Sequence, residues 1–130
     1  MSAKKKVIII TDATESIQLI ARSVKEVLTN CTVKICPADK FEGTALLPVD
    51  VFILGCEKPK PPSFSYLEEM LSHINLVSRK CGIFSVNEKS LKYLKGVVKD
   101  CEAGLLEPFL VKDGKIRASE VKKWLKEVIK

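Results

Sequence analysis

The chain predicts an α/β protein built on a single doubly wound sheet, parallel throughout, with helices on both faces. Three observations carry that expectation. Apolar, β-branched runs alternate repeatedly with segments of helical periodicity, the pattern of successive strand–helix–strand units. The runs are continuous rather than alternately polar, as strands covered on both faces require. The length of 130 residues suits one domain, since single domains usually hold about 100–200 residues, so 1–130 is read as one unit.

The elements follow in order. Lys6-Val-Ile-Ile-Ile-Thr11 is a buried-type strand ending at Asp12. From Ser16, the residues Ile17, Ile20, Ala21, Val24, Val27 and Leu28 keep helical spacing, which predicts a helix over 14–29 stopped by Asn30. Thr32 to Cys36 is a short second strand ended by Pro37, and 37–48 reads as a loop with a helical turn near Phe41. Val49 to Leu54 is the third strand, closed by Gly55 and Cys56.

Glu57-Lys-Pro-Lys-Pro-Pro62 is a stiff loop, because its prolines fix φ and remove donors. Ser65 and Glu68 have capping-box spacing and open a helix with Leu67, Met70, Leu71, Ile74 and Val77 on one face. Lys80 to Val86 is the fourth strand, and Asn87 is the expected N-cap of a helix over 88–101 that buries Leu91, Leu94, Val98 and Cys101. Leu105 to Val111 is a fifth strand interrupted by Pro108. Lys112-Asp-Gly-Lys115 reads as a two-residue hairpin turn. The last helix begins near Ala118 and buries Val121, Trp124, Leu125, Val128 and Ile129.

Composition removes several classes of function. With 46% hydrophobic and 29% charged residues the chain is neither disordered nor collagen-like. Its longest apolar run, Val7 to Ile10, is far short of the ~20 residues that cross a bilayer, so no membrane association is expected. Lys4, Lys5 and Lys6 imitate the start of a signal peptide, but the stretch behind them is too short, and the cytoplasm is the expected compartment. Cys31, Cys36, Cys56, Cys81 and Cys101 form no C-x-x-C pair and no ligand cluster with His73, which predicts reduced thiols without metal or disulfide. The net charge of +6 favours anionic neighbours.

In a doubly wound sheet the ligand crevice lies beyond the carboxyl ends of the strands, here at loops 11–17, 55–65 and 85–90. The opening Lys-Val-Ile-Ile-Ile strand, Val49-Asp-Val-Phe-Ile-Leu-Gly-Cys56, Gly82-Ile-Phe84 and Leu106-Glu-Pro-Phe-Leu-Val-Lys-Asp-Gly114 together resemble the flavodoxin-like family over nearly the whole chain. That resemblance implies a five-stranded parallel sheet in the order 2-1-3-4-5, flavin mononucleotide (FMN) at the three loops, and one-electron carriage by the flavin. The residues it places at the cofactor are Thr11, Asp12, Ala13, Thr14, Glu15 and Ser16 in the first loop, Cys56, Glu57, Phe64 and Tyr66 in and beside the second, and Ser85, Asn87 and Tyr93 in and beside the third.

The first loop departs from the family's Thr/Ser-x-Thr-Gly-x-Thr phosphate motif. Aligned from Asp12 to Ile17 only Thr14 matches; aligned from Thr11 to Ser16 the outer hydroxyls return, but the middle hydroxyl and the glycine are missing. Asp12 and Glu15 also bring negative charge. At about 6 Å and an effective dielectric near 20, one carboxylate repels a phosphate dianion by roughly 5 kcal/mol, which solvent and salt reduce to ~1–3. The same two acids have N-cap and N3 spacing for the helix behind them. Two functions follow: a flavodoxin-like binding or regulatory module with a degenerate FMN site, or a working FMN electron carrier.

Other chemistry is poorly supplied. A phosphoacceptor domain needs an Asp where Gly55 and Cys56 stand. Cys56 has Lys58 and Lys60 near it but neither a histidine base nor a C-x5-R pattern, so a structural thiol is expected. His73 falls on the polar side of its helix. Hydrolysis, metal catalysis and group transfer have no residues to carry them. Lys89, Lys92, Lys95 and Lys99 form a basic stripe opposite the apolar face of their helix, suited to an acidic partner protein; nucleic acid is not expected, for want of interleaved aromatics.

Overall fold

The computed structural model describes residues 5–112 and 114–129, the side chain of Ile129 excepted. Strand β1 (Lys5–Thr11) leads into helix α1 (Glu15–Val27), then β2 (Cys31–Pro37), two short 3-10 turns (Ala38–Lys40 and Gly43–Leu46) and β3 (Val51–Gly55). A third 3-10 turn (Pro62–Phe64) runs into α2 (Ser65–Leu71), followed by β4 (Lys80–Ser85), α3 (Glu88–Val98), β5 (Gly104–Leu105), β6 (Phe109–Leu110), α4 (Ala118–Trp124) and α5 (Lys126–Ile129). All strand pairs are parallel, and the sheet order is β2-β1-β3-β4-β5, the order the family resemblance implies.

The continuous apolar runs fill two separate cores because side chains alternate across a strand. In β1, Ile8 and Ile10 enter the cluster that holds Leu67 and Leu71 of α2 and Leu91, Leu94 and Val98 of α3. Val7 and Ile9 enter the opposite cluster, with Ile17, Ile20, Ala21 and Val24 of α1 and Val121 of α4. Full burial of one such side chain is worth about 1.5–3 kcal/mol, so each strand helps bind a layer of helices on each side.

The interruption expected at Pro108 is present, and three other sequence expectations are corrected. The fifth strand is split: β5 pairs with Lys80 and Cys81, and β6 pairs with Phe84 and Ser85, with Pro108 in the gap where an amide donor is missing. Helix α2 ends at Leu71 instead of running past Ile74. The Ser72 hydroxyl there donates to the Glu69 carbonyl at 2.7 Å, the Asn75 side chain accepts from the Val77 amide at 3.0 Å, and Val77 is 68% exposed.

The capping box at Ser65 does not form either. Ser65 is already helical because the 3-10 turn feeds α2 directly, and the Glu68 carboxylate accepts the Tyr93 hydroxyl at 2.5 Å instead of reaching back. The expected hairpin is a turn into a helix: Gly114 has φ +62° and the Lys115 amide donates to the Lys112 carbonyl, but no strand follows among the described residues before α4. Asp113 and the expected burial of Ile129 lie outside the described residues. No described helix is long and apolar enough to cross a membrane.

Candidate functional site

The carboxyl ends of β1, β3 and β4 bring the three expected loops together, and their side chains tie the loops to one another. Asp12 does most of this. Its Oδ1 accepts the Thr14 amide at 3.1 Å and the Thr14 hydroxyl at 2.8 Å, while its Oδ2 accepts the Glu57 amide of the second loop at 2.7 Å. The carbonyl of Glu57 is held from the third loop, by Asn87 Nδ2 at 2.6 Å and the Ser90 hydroxyl at 3.0 Å. One residue is thus clamped on both of its backbone polar groups. Ser85 adds a further tie, donating its hydroxyl to the Cys56 carbonyl at 2.6 Å.

The geometry of the first loop explains why Asp12 is not the cap that its spacing predicts. Ala13 takes φ +63°, so the chain turns once more before α1 begins, and Thr14 stands at the N-cap with no side-chain hydrogen bond to the helix. Asp12 is thereby displaced toward the second loop, and Glu15, the first helical residue, is exposed. Thr11 is buried, accepting the Ala13 amide at 3.1 Å and donating to Gln18 Oε1 at 3.4 Å. Ile17 is fully buried, which rules out the alignment that would ask for a ligand-facing hydroxyl there. Ser16, one residue earlier, has a buried hydroxyl oxygen with no hydrogen-bond partner among the described residues.

Asn87 is the N-cap expected of it, its side chain accepting from the Ser90 amide at 2.8 Å. Cys56 lies beneath the crevice. Burial first, and the Asp12 charge second, push its thiol up from 9.0 to about 12 against a smaller opposing effect of a Ser90 hydrogen bond, so it is a neutral thiol at physiological pH.

The three aromatics do not surround the crevice. Phe64 is fully buried in the core under α2 and α3. Tyr66 is exposed, and its hydroxyl accepts the Gly43 amide at 2.9 Å. Tyr93 is half-buried against Phe64 with its hydroxyl on Glu68, and burial followed by the Glu68 contact raises its pKa. Instead, a crevice of about 430 Å³ is lined by Asp12, Thr14, Glu57, Lys58 and the proline segment through Ser63.

Gln18 and Ser90 were missed as members of this network. A signal for Ser90 was present, since it is a small hydroxyl residue on the apolar side of its helix three positions after an N-cap. Lys89, Lys92 and Lys95 on α3 and Lys99 at its C-cap are all exposed.

No protein-family model matches the chain, and no curated protein matches its sequence. Among solved structures, a flavodoxin of Streptococcus pneumonia is similar at TM-score 0.82 and 16% identity, over 95% of this chain and 96% of that one. Flavodoxin 2 of Bacillus cereus matches at TM-score 0.77 and 18% identity, over 95% of each chain. A point mutant of Fusobacterium nucleatum flavodoxin, described as bound to flavin mononucleotide, matches at TM-score 0.74 and 12% identity over 96% of this chain and 95% of that one. The fold is flavodoxin-like.

Proposed function

We propose that this protein is a flavodoxin-like binding module whose loops no longer hold FMN, and that it carries no electrons. The observation that supports this reading is the Asp12 carboxylate, fixed between the first and second loops by Thr14 and Glu57. A phosphate dianion entering that turn meets a held negative charge, with a cost of ~1–3 kcal/mol after screening. The ring end fits no better. Phe64, Tyr66 and Tyr93 are committed elsewhere, and the doubly clamped Glu57 peptide followed by Pro59, Pro61 and Pro62 leaves a stiff wall. As arranged, the residues present do not fit FMN.

A second reading, the FMN carrier, is favoured by the Ser16 hydroxyl, unpartnered among the described residues, at the position of the motif's last hydroxyl and beside a first turn of α1 that lacks a side-chain cap. One experiment separates the two. The protein is produced in cells supplied with excess riboflavin, purified, and scanned in the visible. The module reading expects no flavin absorbance in the purified fraction. A yellow protein whose flavin reduces reversibly in one-electron steps would establish the carrier.

A further inference from the structure

We propose that the cavity between the last strand and the C-terminal helices binds a small neutral aromatic molecule, at a site separate from the crevice at the carboxyl ends of the strands. A bulge in the sheet accompanies this cavity. Lys80 and Cys81 pair with Gly104 and Leu105, whereas Phe84 and Ser85 pair with Phe109 and Leu110. Cys81 to Phe84 is three steps along β4, and Leu105 to Phe109 is four along the outer chain. The extra residue falls between Leu106 and Pro108, and the strand bends there. The space beside the bend has a volume of about 440 Å³, with Leu106, Pro108, Phe109 and Trp124 as its apolar walls. Sites for small molecules usually measure about 300–1,000 Å³.

Trp124 is held so that it does not swing in to fill the space. Its ring stacks on Phe109 with centroids 4.8 Å apart, meets Phe84 edge-on at 6.3 Å, and donates from Nε1 to the Glu107 carbonyl at 2.6 Å. Gly82 leaves room for it, since a Cβ there would stand 3.0 Å from Trp124 Cζ2. A flat ring ligand can stack on this fixed indole or meet it edge-on, as the protein's own rings do. The charges argue against an ion. Glu107, Glu120 and Glu127 in the lining face Lys123 and Lys126. Glu120 is paired with Arg117 at 3.4 Å and Glu127 with Lys80 at 3.7 Å. The lining alone has one negative charge in excess and, with those two partners, one positive, so an ion of either sign gains little. The surface is also too small for a protein. An interface takes about 20–30 residues a side, whereas the apolar part here is four side chains, all at least partly buried. Among the described residues the large exposed apolar side chains are Leu19, Leu47, Tyr66, Val77 and Leu105, and none of them lines the cavity.

The chain has one tryptophan, so Trp124 reports on its own cavity. The probe is N-phenyl-1-naphthylamine, uncharged at neutral pH, titrated into the full chain while tryptophan emission and the probe's own emission are read. The expected result is saturable quenching of Trp124, with a dissociation constant of about 100 µM or tighter. Because the probe is neutral, the affinity should change less than about twofold between ~50 and ~500 mM salt. Nuclear Overhauser contacts should run from the probe to the Trp124 indole and the Leu106 methyl groups. Leu106→Phe, which takes up part of the space, is expected to weaken binding about tenfold, read by Trp124 quenching. Trp124→Leu is expected to do the same, read by the probe's emission. Where a variant fails to fold, the contacts in the natural chain decide. The proposal is overturned by absence of saturable quenching, by contacts to Asp12 and Thr14 instead, by unchanged affinity in a folded variant, or by a larger salt dependence. A dimer in sedimentation that the probe dissociates would give the cavity to a second copy of the chain and overturn it too. Flavin absorbance of the same sample reports only on the module reading and leaves these outcomes untouched.

Discussion

At the scale of single residues, Asp12 decides how the crevice is built. Hydrogen bonds to a charged acceptor are worth up to about 1.5–3 kcal/mol net each, less where the acceptor is half-buried as Asp12 is, so losing its three bonds in Asp12→Ala is expected to destabilise the fold by at least roughly 2 kcal/mol in urea unfolding. It should also speed hydrogen exchange at the Glu57 amide, which Asp12 Oδ2 accepts at 2.7 Å. Unchanged exchange at Glu57 would mean that the loops are not tied through this side chain. Lys60 offers a test of opposite sign. Its φ of +51°, between two prolines, is a left-handed conformation that costs a non-glycine residue about 1–2 kcal/mol, so Lys60→Gly is expected to stabilise the protein by roughly 1 kcal/mol. A loss of stability in that variant would contradict the conformation.

Cys56 sets a pH dependence at the same scale. Burial and then Asp12 raise its thiol from 9.0 to about 12 in the folded chain. Below pH 9 both folded and unfolded chains keep the proton. Above it the unfolded chain releases a proton that the fold retains, so stability falls as pH rises from about 9 toward 12, by up to about 1.4 kcal/mol per pH unit. Denaturant midpoints across that range should fall less steeply in Cys56→Ala than in the natural chain. Parallel slopes would show that the thiol titrates in the folded state as it does in the unfolded one.

Among the elements, β3 and β4 pair beside the site with Gly55 opposite Phe84. A Cβ on Gly55 would stand 2.2 Å from the Phe84 ring, so Gly55→Ala must displace Phe84. The expected destabilisation is about 1–3 kcal/mol, measurable in thermal unfolding, with the Cys56 and Glu57 backbone at the crevice shifted as the ring moves. Neutral behaviour would mean that the ring has room to move. The strands β1, β3 and β4 were readable in the sequence because their apolar runs are buried on both sides, and the edge strand β2 because its β-branched residues stop at Pro37. Helix α2 was readable only at its start. The apolar spacing of Ile74 and Val77 continued the pattern, while the backbone followed the competing hydrogen bonds of Ser72 and Asn75. The split of the last strand at Pro108 was legible as an interruption, but its pairing with both ends of β4 depends on tertiary contacts.

For the whole molecule, the winding order came from the family resemblance and the sheet has it, because five alternating units leave few right-handed ways to cover both faces. The crevice was legible by position and not by bonding. That Asp12 and Glu15 are negatively charged could be read directly; that Asp12 turns sideways to hold Glu57 could not, because it depends on Ala13 adopting a positive φ that alanine seldom takes. The aromatics failed for a related reason. Their sequence distance from the loops is short, but the 3-10 turn before α2 sends Phe64 inward and Tyr66 toward Gly43. The most direct measurement of the central claim is a calorimetric titration of the purified chain with FMN at moderate salt. The account predicts a dissociation constant weaker than about 10 µM, or roughly −7 kcal/mol. Nanomolar binding, with the first-loop amides shifting as the phosphate enters, would contradict it.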